Sequence, residues 1–154
     1  MSQYINFFIR KEVKDQTIFV PLGSFSRNSE IYQASKNAPF EKIRSISGKQ
    51  IDNIVQSLYD DKKKFEDRIK EVEHNISYVI PTFNNSAKEK MEEIAEQQLC
   101  IDDIYEEIAD LQFAIGYFSS LKEILWDNDL EGFFDDKTIY YGIEISDPTE
   151  EDVV

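Results

Sequence analysis

Between residues 47 and 125, apolar side chains recur at alternating steps of four and three. The pattern is divided in two by Ile80-Pro81-Thr82-Phe83-Asn84-Asn85, and Lys62 breaks the first stripe. That spacing keeps one stripe on one face of a helix, and a stripe needs a partner to bury it. The first helix has a marked start. Ser47 is an N-cap candidate, Gln50 completes a capping box, and Ile46 and Ile51 take the two staple positions. Its stripe runs through Ile51, Val55, Leu58, Phe65, Ile69, Val72, Ile76 and Val79. Pro81 cannot donate to a helix ladder and biases Ile80 away from helical geometry, so this helix is expected to stop near Val79.

Ser86 and Glu89 form a second capping box, followed by a second stripe. It carries Ala87, Met91, Ile94, Gln98, Ile101, Tyr105, Ile108, Leu111, Ile115, Phe118 and Leu125, with extra apolar residues at Leu99, Ile104, Leu121 and Ile124. A loop of about six residues makes the two helices antiparallel neighbours in a coiled-coil-like hairpin. A register mirrored about Thr82 and Phe83 sets Lys62 opposite Asp102, Asp103 and Glu106, where it is expected to pair and fix register. At about 1.5 Å per residue the hairpin is roughly 45 to 60 Å long, and part of it projects. Two helices bury one stripe each, so self-association into a four-helix dimer is the expected way to complete the core.

The flanking segments read as strands. Tyr4 to Val13 is rich in aromatic and β-branched residues, Thr17 to Val20 is a second strand, and Lys14-Asp15-Gln16 has the length of a hairpin loop. Pro21-Leu22-Gly23 is expected to end the second strand. Residues 30–35 fit either a short strand or one helical turn, and Asn37-Ala38-Pro39 breaks the chain. Residues 138–145 form a last strand that should join the N-terminal hairpin, with an acidic tail at 149–154 expected to be mobile. The fold class is therefore α+β: a long antiparallel two-helix hairpin capped at one end by a small antiparallel sheet of three or four strands from both terminal segments. One domain is expected, divided into 1–46 (strands and loop), 47–125 (hairpin) and 126–154 (acidic connector, strand and tail).

Charge narrows the function classes. Residues 1–85 carry 13 Lys+Arg against 11 Asp+Glu, a balance of +2; residues 86–154 carry 4 against 20, a balance of −16. Phosphates would be repelled by the second half, so direct nucleic-acid binding there is not expected. No apolar run approaches membrane-spanning length and no signal-like segment is visible, so membrane insertion is not expected and a cytoplasmic location is. The single cysteine, Cys100, has no partner for an internal disulfide and fits a reducing compartment.

Several constellations contain parts of a known chemistry without completing it. In the 24–29 loop, Ser24, Ser26, Arg27, Asn28 and Ser29 have the composition of an anion cradle, and equally of a turn. Asp127, Asp129, Glu131, Gly132 and Asp135 resemble positions 1, 3, 5, 6 and 9 of an EF-hand loop. Thr138 stands where the bidentate Glu belongs, and a strand follows in place of a helix. Calcium is thus the one cofactor candidate, against an acidic connector that binds nothing. Glu71 and His74 have the Glu-x-x-His spacing of di-iron bundles but point away from the seam. Glu93, Glu96, Glu107 and Asp110 resemble the paired carboxylates of the all-helical nucleotide pyrophosphatases, except that both pairs lie on one helix. A carboxylate metal-dependent enzyme is accordingly the weakest alternative.

The feature that remains is a row of carboxylates. Glu89, Glu93, Glu96, Asp103, Glu107 and Asp110 follow one another at helical steps along about 30 Å of the second helix. Such a row is either a solvated face or a surface that steers toward a basic partner by imitating the phosphates of a nucleic acid. The expected function is a non-enzymatic, self-associating acidic protein that binds a basic nucleic-acid-binding protein. Its kind resembles the DNA-mimic inhibitors carried by phages. The alternative from another class is a small anionic-ligand binder using the 24–29 loop.

Overall fold

The computed structural model describes residues 3–126 and 137–154. They form a four-stranded antiparallel sheet and a long antiparallel helical hairpin, the α+β class expected from the sequence. The elements in order are β1 (Tyr4–Val13), β2 (Gln16–Ser26), α1 (Glu30–Ala34), β3 (Arg44–Ile46), α2 (Gly48–His74), α3 (Ala87–Trp126) and β4 (Ile139–Ile143). Internal contacts divide the chain into two compact units, Met1–Gln56 with Ala114–Val154, and Ser57–Phe113, and each long helix contributes to both.

In the first unit the strand order is β2-β1-β4-β3. β1 and β2 are joined by Lys14 and Asp15, whose φ values of 52° and 64° give the primed two-residue turn that matches strand twist. β2 does not end at Pro21. A bulge lets Phe7 pair with Gly23 and Phe8 with Pro21, leaving Leu22 as the extra residue, and the ladder continues to Ser26. Proline is tolerated because β2 is an edge strand whose outward N–H groups need no partner in the sheet. The C-terminal strand does join the N-terminal hairpin, with Phe7 opposite Tyr141. Residues 30–34 are helical, and the lead-in to α2 contains the short strand β3.

Both faces of this sheet are covered. Phe7 packs edge-on to Phe118 and Tyr117 of α3 and stacks on Tyr141. On the other face Phe8 clusters with Phe19 and Ile43, joined by Tyr140, Ile145 and Val153. Val153 belongs to the tail, which is held rather than mobile. Thr149 and Asp152 form a capping box, the Ile43 N–H donates to the Asp152 carbonyl at 2.9 Å, and Arg10 pairs with Glu150 at 2.7 Å.

The start of α2 is as the sequence predicts. Gln50 N–H donates to Ser47 Oγ at 3.1 Å, Ser47 N–H donates to Gln50 Oε1 at 2.8 Å, and Ile46 and Ile51 are buried. The α-helix ends at His74, a π-turn covers Asn75–Val79, and a 3₁₀ turn through Pro81 covers Ile80–Thr82. Ser86 Oγ accepts from Glu89 N–H at 3.2 Å and opens α3.

In the second unit Ile69, Ile104 and Ile108 form the core, with Phe65, Cys100 and Ile101 against them. A mirror about Thr82 and Phe83 would set Ile69 opposite Glu96, so the true register lies about two helical turns further along α3. The reason is that residues 75–86 stay on the α2 side of the turn as π, 3₁₀ and loop structure, which moves the mirror point to about residue 87. Lys62 accordingly makes no ion pair with Asp102, Asp103 or Glu106 among the described residues. Its ammonium instead lies 6.0 Å from the centre of the Tyr59 ring.

Candidate interaction surfaces of the helical hairpin

The register decides which residues of α3 face outward. Two heptad rows compete in the sequence: Met91, Gln98, Tyr105 and Gln112, and Ile94, Ile101, Ile108 and Ile115. The second wins the interior, with Ile104, Leu111 and Ala114 joining it. Met91 and Tyr105, which the sequence pattern placed in the seam, are 70 % and 54 % exposed, and Leu99 is 65 % exposed. Branched aliphatic side chains fill a helix seam better than a flexible thioether, an amide and a phenol, which explains the outcome.

At about 100° per residue, three surfaces follow around α3 within the second unit. On one flank lies the carboxylate row. Glu89, Glu96, Asp103, Glu107 and Asp110 are exposed, while Glu93 is half-buried and accepts a hydrogen bond from Gln97 Nε2 at 3.2 Å. None of the six is in an ion pair among the described residues. From Ala87 to Phe113 the helix carries nine Asp and Glu against Lys88 and Lys90, so the row is not neutralised locally. On the crown lie Met91, Ala95, Leu99, Ala109 and Phe113, of which Met91, Leu99 and Phe113 are large and well exposed.

On the opposite flank an open groove of about 540 Å³ runs between the helices, with Lys62, Glu66, Lys70 and Glu73 on α2 facing Tyr105 and Gln112 on α3. Sequence patterning did not single out this groove. Its signal was present in the row Met91-Gln98-Tyr105-Gln112, which drifts by about 20° per heptad toward the α2 side.

The other candidate residues are distributed as follows. Ser24 and Ser26 belong to β2, and Ser29 is the N-cap of α1: its Oγ accepts from Tyr32 N–H at 3.1 Å and donates to the Ser26 carbonyl at 2.8 Å. The Arg27 carbonyl accepts from Gln33 Nε2 at 2.7 Å, and Asn28 follows it in the turn between β2 and α1. Asp127, Asp129, Glu131 and Asp135, the calcium-loop candidates, lie outside the described residues. Among the described residues no three His, Cys, Asp or Glu side chains are grouped to hold a metal ion. The His74 ring lies 5.1 Å from that of Tyr78.

Two polar groups of the first unit are perturbed. Tyr117 Oη is buried without a hydrogen-bond partner among the described residues, and burial pushes its ionisation well above the ordinary phenol range. Burial also raises Tyr141, whose hydroxyl donates to the Lys36 carbonyl at 3.0 Å, with the Arg44 guanidinium pulling part of the way back. The Tyr117 ring packs between α3 and the sheet against Phe7, while the Tyr141 hydroxyl ties β4 to the segment that follows α1. No helix among the described residues is long and apolar enough to cross a membrane. No family model, curated protein or solved structure matches this chain.

Proposed function

We propose that this chain is a non-enzymatic binding protein that holds a basic protein partner against the outer surface of α3. One observation carries the reading: an unneutralised carboxylate row lies directly beside exposed Leu99, with exposed Met91 further round the same helix. Carboxylates alone make a solvated face. Large apolar side chains left in water beside them supply the desolvated centre that a protein interface needs, with the charges as its rim. The row steers a basic surface into place, and the crown residues then hold it.

Steps of three, four and seven residues put the carboxylates about 4.5 to 10 Å apart, comparable to phosphates along a nucleic-acid strand. The concrete form proposed is an inhibitor that mimics DNA and occupies the cationic surface of a nucleic-acid-binding protein, the arrangement expected of a phage-type antagonist. The test is cross-linking capture from cells that express the chain, comparing wild type with Met91→Lys plus Leu99→Lys. A basic protein recovered by the wild type and lost from the double variant supports the reading. Recovery of the same proteins by both, or of none dependent on these residues, overturns it.

A further inference from the structure

The groove on the other flank of the hairpin has a charge order that specifies its occupant. Along α2, Tyr59, Lys63, Glu66, Lys70, Glu73 and Ser77 follow one another at steps of four, three, four, three and four, so they line one edge of the helix. Their signs read plus, minus, plus, minus from Lys63 to Glu73. Glu66, Lys70 and Glu73 border the groove itself. None of these four charged residues forms an ion pair within the chain among the described residues, where the nearest neighbours that do are Lys64 and Asp61.

We infer that a second copy of this chain docks in the groove, α2 antiparallel to α2, about a two-fold axis passing between Glu66 and Lys70. Reversing the row about that point places each Glu66 opposite the other copy's Lys70 and each Lys63 opposite its Glu73. Each of these four charges then meets its opposite, and each contact occurs twice, as a two-fold interface requires. A parallel docking would set like charges together. The order therefore selects one orientation, which is what interface charges do best.

The same axis is consistent with α3. In the hairpin register Lys62 stands across from Gln112, and both border the groove. The point of α3 that faces the axis thus lies near residue 106, which sets Tyr105 of one copy at the level of position 107 of the other, between its Tyr105 and its small Ala109. Tyr105 and Tyr59 are 54 % and 49 % exposed in the single chain, and their rings, with the aliphatic stems of Lys62 and Lys70, provide the apolar surface to be covered. Surface ion pairs contribute little by themselves, so the rings hold the copies together while the charges set direction. The acidic row lies about half a turn of the helix away and stays free, so this inference does not depend on the proposed partner.

The experiment is analytical ultracentrifugation of the wild type, Glu66→Lys, and Glu66→Lys plus Lys70→Glu, with circular dichroism confirming that each folds. The single substitution sets two positive charges against each other at each 66–70 contact; the double exchanges the signs and restores complementarity. Expected are a wild-type dimer, at least a tenfold weaker dimer for the single variant, and recovery in the double. A wild-type monomer at tens of micromolar overturns the inference, as does a dimer indifferent to Glu66→Lys or a double variant no better than the single.

Discussion

The Tyr117 hydroxyl occupies the space that a side chain at residue 23 would need: a Cβ built on Gly23 stands 2.6 Å from Tyr117 Oη and 2.9 Å from the Phe25 ring. Gly23 is also the residue of β2 paired with Phe7, next to the bulge. Glycine is thus required for packing, and Gly23→Ala is expected to destabilise the protein by about 2 kcal/mol through overpacking. Tyr117→Phe relieves an unpaired buried hydroxyl and should be neutral or stabilising by about 1 kcal/mol. Urea unfolding of the two variants and of the double variant checks both. The double should recover part of the Gly23→Ala loss, because the two sites share one space.

Alkaline pH should unfold the protein in part through the same ring. Burial raises the pKa of Tyr117 and of Tyr141 in the folded state, so the unfolded chain releases these protons first. The resulting stability is fully present below the unfolded value of about 10 and is lost as pH rises toward the folded values. Urea midpoints at about pH 8 and about pH 11 should therefore differ less in Tyr117→Phe than in the wild type. An equal fall in both would count against the burial of this hydroxyl.

Glycines 142 and 116 offer a paired test of the fold. A Cβ at Gly142 would run into the Lys42 carbonyl oxygen, where residues 39 and 41 exchange 2.8 Å hydrogen bonds with Ile143. Backbone cannot yield as a side chain can, so Gly142→Ala should cost about 3 kcal/mol. Gly116 meets nothing within 4 Å on α3, and Gly116→Ala should stabilise by about 1 kcal/mol through helix propensity. Thermal melts of the two variants should move in opposite directions.

The capping box of α2 should be measurable in isolation. Ser47→Ala removes the acceptor of the Gln50 N–H and should cost about 1 kcal/mol, read from the urea midpoint. Ser47→Asp should retain most of the stability, since a carboxylate caps the same N–H groups.

What could be read from the sequence was local. The capping box at Ser47, the β1–β2 hairpin and the antiparallel hairpin of helices each depend on residues a few positions apart. The features that were not legible depend on distant partners. β2 runs past Pro21 because the bulge beside Gly23 fits beneath Tyr117, and the 149–154 tail is held because Ile43 and Arg10 meet it across the fold. The hairpin register failed because a π-turn has no clear sequence signature, and two heptad rows on α3 compete until the register is known. The carboxylate row was legible as a periodic pattern; the exposed crown beside it and the groove opposite were not.

If charge on α3 brings a basic partner to this chain, salt tests it most directly. The chain is immobilised and a cell extract is passed over it at about 0.1 M salt and again at about 0.5 M, where the Debye length roughly halves. A second column carries the chain with Glu89, Glu93, Glu96, Asp103, Glu107 and Asp110 changed to their amides. One or a few basic nucleic-acid-binding proteins should be retained by the wild type at low salt, displaced at high salt and by added duplex DNA, and absent from the amide column. Retention of the same proteins on both columns, unaffected by salt or DNA, would contradict the proposed function.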